Sequence, residues 1–321
     1  MTTEAQKTGK SQNSPADRKP LILDIKGNSL DDGPGIRSVV FFKGCPLSCA
    51  WCHNPESKKP GPEISFDPKT CVGCGTCRQI CPEGALSPDN PFYVDRKRCS
   101  LCFECVEACP SGALSRVGEP MTKEAIMGKI LPDKPFFDTS GGGVTLSGGE
   151  PTLFMNFTGQ LLAGLKQAGI DTLVETCGWF DFDDFMTLVY PWVDTIYYDL
   201  KLYDDPAHRH YCGLSNHKIF ENFQRLAHRV KKDDKTILPR TPLIPDISAT
   251  ETNLKQIAGF LNQVGIDRAA LLSYNPLWHD KTGQIGLADT WAGEPAMTTF
   301  LDKKIQEQCR AIFQDHGISL Q

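Results

Sequence analysis

Cys45, Cys49 and Cys52 stand at C-x3-C-x2-C spacing, directly behind the apolar run Val39-Val40-Phe41-Phe42. Three thiolates within eight residues can hold one metal centre, and three leave a coordination position open. An open position is what separates catalytic from structural metal sites. In a cubane 4Fe–4S cluster, which normally takes four thiolates, the fourth iron would be free to bind a ligand. A zinc site completed by His53, or plain surface thiols, are the alternatives for the same residues.

Eight further cysteines form an internal repeat. Cys71-x2-Cys74-x2-Cys77-x3-Cys81-Pro82 is matched by Cys99-x2-Cys102-x2-Cys105-x3-Cys109-Pro110. This is the C-x2-C-x2-C-x3-C-P run of bacterial ferredoxins, in which the fourth cysteine ligates the other cluster. Cys71, Cys74, Cys77 and Cys109 are therefore expected around one 4Fe–4S cluster, and Cys99, Cys102, Cys105 and Cys81 around a second. A pair of zinc knuckles is the alternative, but zinc has no use for the Cys-Pro signature. The expected role of the module is electron transfer. Eleven of the fourteen cysteines fall between Cys45 and Cys109, in a chain far too large for a disulfide-stapled secreted domain. The other three (Cys177, Cys212 and Cys309) are scattered and read as ordinary small thiols.

The elements that must position this chemistry follow from periodicity. The first nineteen residues are polar, without pattern, and read as a disordered tail. Residues 21–28 read as a strand, followed by the tight loop Asp31-Asp32-Gly33-Pro34-Gly35-Ile36-Arg37 and the strand that feeds the three-cysteine loop. Residues 63–118 form the cysteine-rich insert; 20–62 and 119–321 flank it. Beyond Met121, helical and strand patterns alternate, as in a parallel α/β fold. Expected helices are 123–130 (capped by Thr122), 154–168, 181–189, 218–231, 250–263 and 297–316. Expected strands are 144–147, 172–175, 195–199, 236–238 and 269–274. Polar signatures sit at the carboxyl ends of those strands: Ser147-Gly148-Gly149-Glu150-Pro151, Glu175-Thr176-Cys177-Gly178, Asp199-Leu200-Lys201, Arg240-Thr241-Pro242 and Tyr274-Asn275-Pro276. Parallel sheets bind ligands at that edge, so one rim collects the candidate chemistry.

The 321 residues, 40% hydrophobic and 23% charged, are those of an ordinary globular protein. A formal charge of −5 argues against nucleic acid as a partner. No apolar run spans a membrane and no signal peptide is read, so the expected location is cytoplasmic.

Cys45-x3-Cys49-x-Trp51-Cys52 resembles the signature of radical S-adenosylmethionine (SAM) enzymes. Asp32-Gly33-Pro34-Gly35-Ile36-Arg37 before it, Cys52-His53-Asn54-Pro55 within it and Ser147–Pro151 after it narrow the likeness. Together they resemble the glycyl-radical-enzyme activating enzymes, relatives of pyruvate formate-lyase activase, in the subgroup with a ferredoxin-like insert. The resemblance covers about residues 21–316. It implies an incomplete parallel (β/α)6-type barrel carrying a two-cluster ferredoxin-like domain. It also implies three 4Fe–4S clusters and SAM, chelated through its methionyl amino and carboxylate groups at the open iron. One electron from an external low-potential donor such as flavodoxin or ferredoxin would cleave the sulfonium to methionine and a 5′-deoxyadenosyl radical. That radical would abstract a hydrogen from a backbone glycine of a partner glycyl radical enzyme.

The resemblance further places Trp51 beside the adenine and gives Glu150 the cofactor's amino group. Gly148 and Gly149 would let the backbone approach closely; Glu175, Thr176, Asp199 and Lys201 would line the same cavity. Asp32, Gly33 and Arg37 would meet the peptide, and Arg240 would pair with the cofactor carboxylate or the peptide. Where the family often ends a strand in Tyr-His, this chain has Tyr274-Asn275; Asn275 can hydrogen-bond but cannot carry charge. The remaining histidines, His53 included, read as loop or surface residues. A radical enzyme acting on a small molecule and a plain electron-transfer protein are the competing functions.

Overall fold

The computed structural model describes residues 19–321; the segment read as a disordered tail lies outside them but for Lys19. Strand β1 (Leu21–Ser29) returns antiparallel as β2 (Arg37–Lys43), with Leu21 opposite Lys43. A small unit follows: β3 (Glu63–Phe66), helix α1 (Thr76–Ile80), helix α2 (Glu104–Glu107) and β4 (Leu114–Val117). β3 and β4 pair antiparallel as a separate sheet. The short β5 (Glu119–Pro120) returns the chain to β1.

From there helices and strands alternate. Helices α3 (Lys123–Ile130) and α4 (Lys134–Ser140) lead to β6 (Gly143–Gly148), α5 (Met155–Gln167) to β7 (Asp171–Thr176), and α6 (Phe182–Leu188) to β8 (Thr195–Asp199). Then α7 (Asp205–Cys212) and α8 (His217–Val230) precede β9 (Thr236–Leu243), and α9 (Glu251–Gln263) precedes β10 (Arg268–Ser273). Helices α10 (His279–Gln284), α11 (Pro295–Thr298) and α12 (Lys303–Asp315) and strand β11 (Ser319–Leu320) close the chain. The large sheet runs β11-β10-β9-β8-β7-β6-β2-β1-β5, parallel from β2 to β11 and open at both edges. It is an incomplete barrel with six long parallel strands.

Strand periodicity divides that sheet chemically. Val40, Phe42, Val144, Leu146, Val174, Ile196 and Tyr198 are buried in one apolar cluster with helix residues such as Leu161, Leu165, Phe185 and Phe223. Successive side chains point to opposite faces, so Ser147, Glu175, Asp199 and Arg240 are turned inward instead. The same alternation that builds the core thus delivers polar groups to the concave side.

Four elements differ from their sequence patterns. Strand β9 runs on to Leu243 through Pro239 and Pro242, where proline suggested a stop. Helix α7, too polar to show an apolar stripe, is built from an Asp204 cap on Ala207 N–H (2.9 Å), an early proline and a left-handed Gly213. Helix α4 likewise starts on a proline and ends at left-handed Gly141. The pattern read as one helix over 297–316 breaks into α11 and α12, because Asp302 caps a new helix through Lys304 N–H (2.7 Å).

Candidate functional site: a thiol-lined cavity and a cysteine-rich module

The three-cysteine loop leaves β2 at the carboxyl rim, and every side of it is tied down. Gly44 N–H donates to Ser57 O (2.6 Å), and Ser48 and Ala50 N–H donate to Cys212 O (3.0 Å) and Tyr211 O (2.8 Å) at the end of α7. Lys58 Nζ donates to Cys49 O (2.9 Å). Lys281 Nζ, from α10, reaches His53 O and Asn54 Oδ1, each at 3.1 Å, and Glu56 Oε1 at 3.0 Å. The loop is held by its backbone, which leaves its thiols free to face inward.

Cys45, Cys49, Trp51 and Cys52 line one end of a cavity of about 280 Å³, with Gly148, Gly149, Glu175, Thr176, Asp199, Lys201 and Arg240 on its other walls. That is close to the small end of ligand pockets, about 300–1,000 Å³. Its charges alternate. Arg240 pairs with Glu175 and, at 2.9 Å, with Asp199; Lys201 holds the other Asp199 oxygen at 2.8 Å; Ser147 Oγ donates to Glu175 Oε2 at 2.5 Å. Burial alone would raise the Asp199 carboxyl, but Arg240 and Lys201 hold it below its ordinary value. The Lys201 ammonium loses by burial and gains more from Asp199, ending above its ordinary range.

The thiols differ among themselves. A hydrogen bond with the Cys212 thiol, aided by Lys201 and Lys58 against burial, lowers Cys49 to about 7. Burial pushes Cys52 up to about 12. No three His, Cys, Asp or Glu side chains among the described residues converge tightly enough for a single metal ion. The thiols ring spaces instead, as a multi-atom cluster requires.

Several expected residues stand elsewhere or act differently. Glu150 is 1% exposed and does not line the cavity. Its carboxylate accepts from Thr152 N–H (3.1 Å), Thr152 Oγ1 (2.7 Å), Thr176 Oγ1 (2.9 Å) and Cys177 N–H (2.7 Å). It braces two strand ends, its oxygens engaged with Thr152, Thr176 and Cys177. Gly148 and Gly149 do line the cavity, yet the reason for glycine is the neighbouring strand. A Cβ on Gly148 (φ +100°) would lie 2.4 Å from Phe42 N, and one on Gly149 would lie 2.2 Å from Gly44 O. Asn275 is exposed and caps its own turn, its Oδ1 accepting from Leu277 N–H (3.0 Å); Tyr274 lines the cavity in its place.

The loop expected to meet a peptide lies at the opposite, amino end of β2. Arg37 is fully buried there, with Nε on Thr145 Oγ1 (2.8 Å), Nη2 on Val144 O (2.9 Å) and an ion pair to Asp171 (2.9 Å). Asp32 accepts from Ser29 Oγ, and Gly33 packs against Arg37 and Leu173. These three residues form a plug at the floor, because a buried guanidinium needs that full set of acceptors.

Sequence reading passed over four participants. His53 lines the cavity, its imidazole pushed down by burial and Lys281. Cys177 lines it too, and Cys212 stands behind Cys49. His208, read as a surface residue, is 1% exposed. The Cys-His-Asn-Pro and Glu-Thr-Cys-Gly motifs carried a signal for the first two; nothing local marked the others.

In the insert, Cys71, Cys74, Cys77 and Cys109 ring one cavity, and Cys81, Cys99, Cys102 and Cys105 ring another. Each set draws three thiols from one run and its fourth from the other. The donor sets suit cubane clusters. Helix α10 joins this module to the rim: Asp280 pairs with Lys69 (2.5 Å), and Gln284 O accepts from Arg96 Nη2 (3.1 Å).

The parallel strands and crossovers are those of the radical SAM fold. A radical SAM methyltransferase from Sphaerobacter thermophilus superposes with a TM-score of 0.53 at 12% identity, over 94% of this chain and 76% of its own. Residues 63–110 match the 4Fe-4S dicluster domain family, and residues 31–79 the 4Fe-4S single cluster domain family. Two relatives span most of the chain. The isethionate sulfite-lyase activating enzyme of Nitratidesulfovibrio vulgaris is 38% identical over 274 residues, 83% of this chain and 88% of its own. The choline trimethylamine-lyase activating enzyme of Oleidesulfovibrio alaskensis is 36% identical over 293 residues, 88% and 92% respectively. At that identity and coverage the chain belongs to the glycyl-radical-enzyme activating enzymes. Its activity is theirs: reductive cleavage of SAM and generation of a glycyl radical on a partner enzyme.

Proposed function

We propose that Cys45, Cys49 and Cys52 ligate an open 4Fe–4S cluster and that the cavity beside them binds SAM. The insert would hold two further clusters on the cysteine sets above. When bound, the open cluster supplies the electron and the vacant iron that SAM cleavage needs. The chain's own residues supply the rest. SAM carries a carboxylate, an ammonium and a sulfonium, and the cavity offers Arg240 and Lys201 against the first and Glu175 and Asp199 against the other two. Trp51, buried and tilted against Tyr211 at 6.1 Å, offers an aromatic wall for adenine. Cavity burial keeps water from the radical.

The reductant would be an external low-potential protein such as flavodoxin or ferredoxin, docking on the insert. The substrate would be a glycine loop of a partner enzyme entering at the rim, where Arg240 stands. No helix among the described residues is long and apolar enough to cross a membrane, and the density of reduced thiols suits the cytoplasm.

The observation that carries this reading is the convergence of the three-cysteine loop and five strand-end motifs on one cavity. Anaerobic reconstitution should yield about twelve irons per chain, since each cubane holds four. The reduced enzyme should release methionine and 5′-deoxyadenosine, and a partner should acquire a glycyl radical in electron paramagnetic resonance. A preparation that saturates at about eight irons and leaves SAM intact would sink the reading.

A further inference from the structure

Tyr197 takes no part in the chemistry above, yet it lies beneath the cation that Glu175 and Asp199 share. Alternation along β8 turns Thr195, Tyr197 and Asp199 to the concave side, with Ile196 and Tyr198 in the core. The strand registers then fix a crossing. Arg240 on β9 stands opposite Asp199, and Glu175 on β7 stands opposite Tyr197, one side-chain pair deeper. A guanidinium that reaches from β9 to both carboxylates must therefore pass over the Tyr197 ring. Its Nε and Nη2 hold Asp199 Oδ1 at 3.0 and 2.9 Å, its Nη1 pairs with Glu175, and its central carbon lies 5.1 Å from the ring centroid. The Tyr197 hydroxyl has no hydrogen-bond partner among the described residues, so the ring is what this side chain contributes.

We propose that Tyr197 is a positioning residue for SAM binding: its ring face is the platform that fixes the plane of the Arg240 guanidinium for the carboxylate of SAM. Two carboxylates fix one edge of a planar cation but leave the plane free to tilt about the line that joins them. An aromatic face beneath removes that freedom, because the negative face of the ring attracts the guanidinium. The attraction grows where water is excluded, and the Arg240 side chain is only 11% exposed. The N–H groups not engaged by Glu175 and Asp199 then keep one direction, and an incoming carboxylate meets them already ordered. An aliphatic side chain at position 197 would fill much of the same space without offering that face.

The inference rests on the reading of the cavity as a SAM site, so binding of SAM to the reconstituted, oxidised native enzyme is measured first, by anaerobic titration calorimetry. Position 197 is then filled with phenylalanine and with mono-, di- and trifluorophenylalanine. Fluorination drains negative charge from the ring face while leaving its shape nearly unchanged, so a role in packing alone would not respond. Tyr197→Phe is expected to bind SAM as the native enzyme does. The dissociation constant should then rise step by step with fluorine content, by about two- to fivefold across the series. Tyr197→Leu should weaken binding at least as much as the trifluorinated ring. A flat fluorine series, native-like binding in Tyr197→Leu, or a loss already complete in Tyr197→Phe overturns the platform while the SAM site stands. A native enzyme that binds no SAM overturns both.

Discussion

Glu150 carries more hydrogen bonds than any exposed use would require. With four donors converging on one buried carboxylate, it ties the end of β6 to the end of β7, and through Thr176 and Cys177 it shapes the cavity wall. Truncating it would strand those donors, each worth about 1–3 kcal/mol when buried unpaired. Glu150→Ala is expected to lose about 3 kcal/mol of unfolding free energy in denaturant titrations of the metal-free chain. Glu150→Gln should lose less, because one oxygen remains. Arg240 makes the opposite case. It is the shared cation between Glu175 and Asp199, and its removal leaves two half-compensated carboxylates in a dry pocket. Arg240→Ala is expected to cost about 3–5 kcal/mol and to abolish SAM-dependent 5′-deoxyadenosine release. Arg240→Lys should recover stability in part but not the bidentate geometry.

At the scale of elements, α7 is the piece on which the site leans. Its last carbonyls receive the three-cysteine loop, and its interior holds His208, with Nδ1 on Leu214 O at 2.6 Å. Burial disfavours the charged imidazole and pushes its pKa below the ordinary value. The sign follows: above about pH 6.5 neither the folded nor the unfolded chain holds the proton, while below it the unfolded chain takes up a proton that the folded chain resists. Stability is therefore lost as pH falls, and His53 adds to the loss in the same direction. Unfolding free energies measured at about pH 7.5 and about pH 5.5 should differ less in His208→Asn than in the native chain. An unchanged difference would remove His208 as a cause. None of this was legible in the sequence. Asp205–Cys212 has no long aliphatic side chain to mark an apolar stripe, and its cap and terminating glycine are common outside helices. The strands behind the rim were legible as short apolar runs ending in polar or glycine-rich signatures, and the cysteine runs were legible because cluster chemistry fixes their spacing. Arg37 and Glu150 are buried where their loops suggested exposure, and for one shared reason. A charged residue in a glycine–proline loop looks exposed until the strands that bury it are assembled, and burial is a property of the assembly.

Across the whole molecule, several polar contacts between the insert and the barrel converge on α10. On one side Asp280 and Gln284 hold Lys69 and Arg96; on the other Lys281 holds His53, Asn54 and Glu56 next to the ligand cysteines. Buried Lys43, at the end of β2, adds an ion pair to Glu63 at 2.7 Å where the insert begins. An electron passing from module to rim would depend on that junction staying closed. Gly286 is its most sensitive point. It sits at φ +73°, and a Cβ there would lie 1.9 Å from Arg96 Nη1. Gly286→Ala would add about 1 kcal/mol of backbone strain. It would also displace the Arg96 guanidinium from its bonds to Ile64 O (3.0 Å) and Gln284 O (3.1 Å). Arg96 is half-buried there, so moving it unseats the base of β3. The expected outcome is faster hydrogen exchange and faster protease cleavage within residues 63–117, with the barrel strands unchanged. Reduction by a protein donor should slow in the same variant, while SAM cleavage driven by a small chemical reductant that reaches the rim directly should keep its rate. If both rates fell together, Gly286 would be acting on the barrel itself rather than on the junction.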